Sequence, residues 1–262
     1  MALTEFQRTL CRLIARQRIA SGESYVAGGV ALNSVAAGAR VSRDIDLFHD
    51  TAEALAATWE ADRQLLQTAG YTVEVVRSRD TFVEANIVKG VEGVVLQWVQ
   101  DSAFRFFPLV EHPDFGLTLH PFDLATNKVL ALVGRLEVRD WVDVITCHHR
   151  IQPLGYLAWA ACGKDPGFTP QGILEQAGRS ARYSAAEVAA LSFAGPMPDA
   201  AELSRQWHTM LPGAQQLVEA LPVAEVGKAV LNVSGELFTG VPAKEQLLFH
   251  EGRIRGAWPQ LK

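Results

Sequence analysis

Asp44 and Asp46 stand one residue apart in an apolar run, Val41-Ser42-Arg43-Asp44-Ile45-Asp46-Leu47-Phe48, and Asp44 follows Gly29 of a Gly28-Gly29 pair by 15 residues. Alternating acid and aliphatic side chains have the period of a β-strand, in which residues i and i+2 leave the same face. Ile45 and Leu47 are thus expected to enter a core. Ser42, Asp44 and Asp46 share the other face, with the two carboxylates roughly 6–7 Å apart at Cα. Carboxylates this close repel, and a divalent cation relieves the repulsion. Mg²⁺ is commonly held by one or two carboxylates plus substrate phosphates. The glycine pair suits close approach of backbone to a phosphate, since no Cβ intervenes.

The chain of 262 residues is long enough for one large domain or two. A net charge of −5 gives no global footprint for nucleic acid, although a local basic groove remains open. Cys11, Cys147 and Cys162 form neither a CxxC pair nor a metal-ligand spacing, which suits a reducing, cytoplasmic setting. Thr4 to Ile19 is amphipathic and carries Arg8, Arg12, Arg16 and Arg18, so no signal peptide is expected. No apolar run reaches the length of a membrane span.

Thr4-Glu5-Phe6-Gln7 has the form of a capping box opening a helix that ends near Gly22. A short strand, Ser24 to Ala27, runs into Gly28-Gly29. A brief helix from Val30 to Ala37 and the Val41–Phe48 strand follow. Asp50 and Glu53 are expected to cap a helix ended by Gly70. Three β-rich runs come next, Tyr71–Val76, Thr81–Val88 and Gly93–Val99. His112 to Pro121 is expected to be a loop, with Asp123 capping a helix from Leu124 to about Leu136 and another helix from about Arg139 to His149. Residues 154–230 are rich in Ala, Leu and Gln, with helical periodicity broken at several prolines, Pro212 among them; Leu237 to Trp258 has the look of a short hairpin. The expected fold is α+β: a small mixed sheet with flanking helices over 1–150, then a mainly helical domain over 151–262 with a terminal β-hairpin.

A second stretch carries charge in an apolar context: Lys128, Arg135, Arg139, Asp140 and Asp143. Lys128 lies inside an otherwise apolar helix, where an ammonium either snorkels to water or reaches an anion. Asp140 and Asp143, spaced i,i+3, share a helix face. An Arg139–Asp143 ion pair would account for one of them. His148 and His149, at a helix end, are expected on the terminal carbonyls, and Trp98, Trp141 and Trp159 in the core.

These two stretches together resemble the AbiEii/AbiGii-toxin-type nucleotidyltransferases of the DNA polymerase β-like superfamily. The family's first motif is matched by Gly28, Gly29, Arg40, Ser42, Asp44 and Asp46, and its second by Lys128, Arg135, Arg139, Asp140 and Asp143. The resemblance covers about residues 20–150 and implies a polymerase β-like nucleotidyltransferase core there. It implies Mg²⁺, with Mn²⁺ as an alternative ion, on Asp44 and Asp46, and an NTP as substrate. Gly28, Gly29, Arg40, Ser42, Lys128 and Asp143 would bind the nucleotide. Asp44, Asp46, Lys128 and Asp140 would be the catalytic set, with Asp140 positioning or deprotonating the acceptor hydroxyl, or orienting Lys128. The implied acceptor is a tRNA 3′ end or a protein, and the implied partner a cognate antitoxin in a toxin–antitoxin or abortive-infection system. A tRNA acceptor would call on a basic groove, for instance from Arg12, Arg16, Arg77, Arg79 and Arg150. An adenylyltransferase of small molecules such as aminoglycosides, or a nucleotide-binding module without turnover, are the alternatives.

One departure stands out. Polymerase β-like enzymes commonly carry a third carboxylate on a strand beside the aspartate pair, and here that position reads Gln97. Glu84, Asp101 or Asp140 would have to serve instead. In some relatives the serine matching Ser42 is a phosphorylation site that silences the toxin. A phosphate there adds about −1.5 to −2 charge. Self-modification predicts a mass shift on Ser42 that is absent from an Asp44→Ala protein; an unmodified Ser42 with every partner present would overturn it.

Overall fold

The structure, a computed structural model, describes residues 3–42, 44–179, 183–242 and 246–260. It divides into two compact units, one of Met1–Ala103 with Leu109–His120, the other of Phe104–Pro108 with Pro121–Lys262. The division falls earlier than the boundary at 150 expected from composition, so the helices bearing Lys128 and Asp140 belong to the second unit.

In chain order the elements up to residue 120 are α1 (Glu5–Ser21), β1 (Ser24–Ala27), α2 (Gly28–Val35), β2 (Asp44–His49), α3 (Ala52–Thr68), β3 (Thr72–Arg79), β4 (Phe82–Lys89), β5 (Glu92–Gln100), β6 (Phe104–Arg105), β7 (Val110–His112) and β8 (Gly116–Thr118). Then come α4 (Pro121–Arg135), α5 (Val138–Arg150), α6 (Leu154–Ala161), α7 (Pro170–Gly178), α8 (Ala185–Ala189), α9 (Ala200–Ala220), β9 (Ala229–Leu231), β10 (Leu248–His250) and β11 (Arg253–Ile254). The α+β class expected from the sequence is borne out. No helix among the described residues is long and apolar enough to cross a membrane.

The first unit is built on a seven-stranded sheet in the order β3-β4-β5-β2-β1-β8-β7. β2 runs parallel to β5 and β1 parallel to β8, while the other pairs are antiparallel. The Thr4–Gln7 capping box opens α1 as expected, and Gly22 closes it in the left-handed region at φ 67°. Thr51, not Asp50, caps α3: its hydroxyl accepts the Ala54 N–H at 3.1 Å.

Alternation in the central strands gives the sheet two unlike faces. Ile45, Leu47, Leu96, Trp98, Ala85 and Ile87 are buried. This is the α3 side, since Trp98 lies edge-on to Trp59, ring centroids 4.7 Å apart. Trp98 Nε1 also donates to Asp62 on α3 at 3.0 Å. Asp62 in turn meets Arg18 of α1 at 3.2 Å, both side chains fully buried. Removing one partner of such a pair leaves an uncompensated charge, at a cost of about 3–5 kcal/mol. The opposite face carries the half-buried Asp44, Asp46, Gln97 and Glu84.

Four local expectations are corrected. His112 to Pro121 is not a loop throughout: it supplies part of β7 and all of β8, and Thr118 Oγ1 donates to Val26 O at 2.7 Å. Three-residue strands are too short to display a period. Asp123 does not cap α4, which begins at Pro121. Its carboxylate instead accepts the Phe106 and Phe107 N–H groups at 2.9 and 3.0 Å and pairs with Lys164 at 2.8 Å. Among the described residues the terminal hairpin is not formed: β10 pairs with β9 and β11 with β6. Finally, α9 continues through Pro212, its buried stripe of Trp207, Met210, Ala214 and Val218 holding both halves in place.

His49 ends β2 fully buried, its Nδ1–H directed at Val99 O at 3.3 Å. Burial is the chief cause that lowers its pKa to about 4 from 6.5, so it is neutral in the folded protein. His148 is lowered to about 4 likewise. An unfolded histidine takes up its proton near pH 6.5. The stabilisation is therefore whole above that pH and declines as pH falls toward 4, by at most about 1.4 kcal/mol per pH unit for each group. His49→Gln is expected to shrink the drop in urea midpoint between pH 7 and pH 5; an undiminished drop would refute a neutral buried His49.

Candidate active site

The aspartate pair leads the site in the first unit. Asp44 and Asp46 leave β2 on its half-buried face, with Ile45 between them pointing into the core. Ser42 Oγ donates to Asp44 Oδ1 at 2.8 Å, and the Ser42 carbonyl accepts from Gln7 Nε2 at 3.2 Å. The hydroxyl thereby fixes one carboxylate oxygen of Asp44, and α1 fixes the serine. Nothing in the sequence marks Gln7 for this task beyond its place in the capping box.

The glycine pair is explained by what lies against it. Gly28 opens α2 with φ 67°, and a Cβ there would overlap the Asp46 carboxylate. A Cβ on Gly29 would overlap the Arg40 guanidinium and crowd Ser42 Oγ. Gly28, Gly29, Arg40, Ser42, Asp44 and Asp46 are thus packed together. Ala27, the residue before α2, supplies no side-chain cap. A helix start left uncapped by side chains offers amide N–H groups to an anion.

Among the described residues no group of three or more His, Cys, Asp or Glu side chains forms a metal site. Two carboxylates and a hydroxyl are nonetheless a hard, all-oxygen donor set, and Mg²⁺ is content with one or two carboxylates when phosphates complete its shell. The residues present fit such an ion. Across the sheet Gln97 stands opposite Asp46, and Glu84 opposite Gln97. The glutamine therefore does occupy the strand position beside the pair. Asp101 lies past the end of β5, exposed, its carboxylate accepting the Ser102 N–H at 2.8 Å.

The second unit holds the other motif. Lys128 on α4 is buried, its Nζ 3.0 Å from Asp140 Oδ1 and 3.2 Å from Asp143 Oδ2 on α5. Arg135 grips Asp140 with two bonds, Nε to Oδ2 at 2.6 Å and Nη2 to Oδ1 at 2.9 Å. Burial works against ionisation of Asp140, but Arg135 and Lys128 outweigh it and hold the carboxyl below its usual range. The Arg139–Asp143 pair that would have accounted for one acid is not formed: Arg139 Nε meets Glu137 at 2.6 Å, and Asp143 serves Lys128. Arg135 ends α4 and Asp140 lies in the first turn of α5. Their meeting depends on the turn between two helices, which helical periodicity does not report.

Other groups are accounted for structurally. His148 Nδ1 accepts the Leu154 N–H at 3.1 Å at the start of α6, not a terminal carbonyl bond of its own helix. Trp98, Trp141 and Trp159 are core, as expected. Burial pushes the Cys11 thiol up to about 12 and Cys162 to about 11, and raises Cys147 as well, so none is a ready nucleophile. Arg12 is paired with Asp114 at 2.8 Å, whereas Arg77 and Arg79 are exposed on β3.

No protein-family model and no curated protein sequence matches the chain. Solved structures do. MenT4, a nucleotidyltransferase toxin of Mycobacterium tuberculosis, aligns with a TM-score of 0.53 at 14% identity over 83% of this chain and 87% of that one. JHP933 of Helicobacter pylori aligns at 0.50 and 14% identity over 83% and 95% of the two chains. A candidate nucleotidyltransferase of H. pylori aligns at 0.50 and 15% identity over 84% and 99%. The nucleotidyltransferase fold implied by the two motifs is therefore the fold of this chain.

Gly28→Ala separates backbone strain from steric overlap when set beside Gly90→Ala. Both glycines have positive φ, 67° and 64°, but nothing lies within 4 Å of a Cβ on Gly90. Gly90→Ala is expected to cost the left-handed strain alone, about 1–2 kcal/mol, and Gly28→Ala distinctly more in urea unfolding, because Asp46 must move. Equal costs would show that Asp46 does not rely on Gly28.

Proposed function

We propose that this chain is a Mg²⁺-dependent nucleotidyltransferase that moves a nucleoside monophosphate from an NTP to an acceptor hydroxyl, in a toxin-like role. The observation that carries the reading is the assembly of Asp44, Asp46, Gly28 and Gly29. Two half-buried carboxylates share one sheet face beside a helix start with no side-chain cap, on a fold shared with nucleotidyltransferase structures.

The bound ion would supply positive charge to the triphosphate oxygens as phosphate charge shifts in the reaction. Asp44 and Asp46 would hold it, with Ser42 keeping Asp44 in one rotamer. The first amides of α2 would face phosphate oxygens, an approach that glycine permits. In the second unit Lys128 is a point cation of the kind that neutralises phosphate charge, fixed by Asp140 and Asp143, while Arg135 offsets the remaining charge of Asp140. The acceptor hydroxyl attacks the α-phosphorus in line and gives up its proton to water, and pyrophosphate leaves with the bonding pair of the broken P–O bond. The chain's contribution is placement and fixed charge.

The acceptor in this reading is a tRNA 3′ end or a protein hydroxyl. Exposed Arg77 and Arg79 on β3, with the exposed Glu74 and Asp80 beside them, are this strand's contribution to the groove that a tRNA would call on. A cognate antitoxin and a cytoplasmic setting belong to the same reading. The glutamine at position 97 is the observation that favours a nucleotide-binding module without turnover.

A transfer assay decides. The protein is incubated with each α-labelled NTP, Mg²⁺ and cell extract, beside Asp44→Ala. Label is expected in RNA or protein, falling about 100- to 1,000-fold in the variant. Label in a small molecule would select an aminoglycoside-type enzyme, and bound NTP with no label anywhere would select the module.

A further inference from the structure

Strand register sets Asp46, Gln97 and Glu84 in one row across β2, β5 and β4. Side chains directly opposite in register leave the same face of a sheet. Gln97 therefore stands between two carboxylates, and all three side chains are half-buried. Its Nε2 donates to Glu84 Oε2 at 2.7 Å. An ionised carboxylate accepts hydrogen bonds and donates none. The amide is thus held one way round, with its nitrogen on Glu84 and its carbonyl oxygen left over.

We infer that Gln97 is a neutral oxygen ligand beside Asp46, turned to that task by Glu84, and so replaces a third carboxylate. The inference rests on the metal–triphosphate reading of Asp44 and Asp46 and names a further residue of that site. Amide oxygens are ordinary ligands for hard cations. The consequence is one of charge: two ionised carboxylates and a neutral oxygen present −2 where three carboxylates would present −3. A site of −2 is matched by one divalent cation, whereas a site of −3 favours drawing in a second. Glu84 is a positioning residue, since it acts through the amide it orients.

Mn²⁺ binding to the whole chain, followed by the EPR signal of the free ion, tests this without NTP or turnover. The wild type is expected to bind one Mn²⁺ per chain, and Asp46→Asn to lose it. Gln97→Leu should weaken binding by about 10- to 100-fold. Glu84→Gln, nearly isosteric, should weaken it by about 10-fold, because a glutamine partner accepts either orientation of the Gln97 amide. Gln97→Glu should tighten binding or add a second ion. Urea midpoints near wild type identify the folded variants, and the Glu84→Gln arm keeps the test decisive where Gln97→Leu does not fold. Wild-type Mn²⁺ affinity in Gln97→Leu and Glu84→Gln, alongside loss in Asp46→Asn, would overturn the role of Gln97 and leave the aspartate pair standing. Unchanged binding in Asp46→Asn, or no binding by the wild type, would overturn the aspartate reading itself, and the role of Gln97 with it.

Discussion

Strand β2 lies between β1 and β5, and its alternation fixes the candidate site. Ile45 and Leu47 are completely buried, while Asp44 and Asp46 emerge on the other face. A slip of one residue would exchange the two sets, placing two carboxylates in the core and two aliphatic side chains outside. Burying an unpaired carboxylate costs far more than any ladder bond returns. The hydrophobic requirement of the core thus holds the acids in register. Gly28, the first residue of α2, can approach Asp46 only because that register is kept.

Buried charge elsewhere follows one rule. Arg18 with Asp62, Lys164 with Asp123, and Lys128 with Asp140 and Asp143 are all inside the protein, and each cation faces an acid at 2.8 to 3.2 Å. Such pairs add little net stability over apolar packing, but losing one partner is costly. They act as fixings. Asp62 ties α3 to Trp98 on β5, and Asp123 ties α4 to the backbone at Phe106 and Phe107. The Lys128 cluster differs in having a second cation, Arg135, so that Asp140 remains ionised despite its burial.

Much of this was legible in the chain. The Thr4–Gln7 capping box, the three runs that became β3, β4 and β5, and the alternation of β2 are local signals, set by neighbours within a few residues. The misreadings share one cause. Asp123 has the look of a helix cap, but its carboxylate serves backbone amides 16 and 17 residues away. Leu248 and Arg253 lie in neighbouring runs, yet their strands pair with β9 and β6. Pro212 should end a helix on local grounds, and buried contacts on both sides carry α9 through it. In each case a distant partner outweighs the local preference.

The sequence by itself determined which residues make up the first assembly, because a Gly-Gly turn and an alternating Asp pair leave few arrangements that bury the aliphatic side chains and spare the acids. It determined the pairing in the second motif less well: Arg139 was the nearer arginine to Asp143, but Glu137 took it, and Asp143 went to Lys128. Only the tertiary structure set Gln97 between Asp46 and Glu84 and turned its amide, since strand order and register across β2, β5 and β4 arise from long-range pairing. Periodicity shows the face a residue occupies, and hydrogen bonding between strands distant in sequence decides its neighbours.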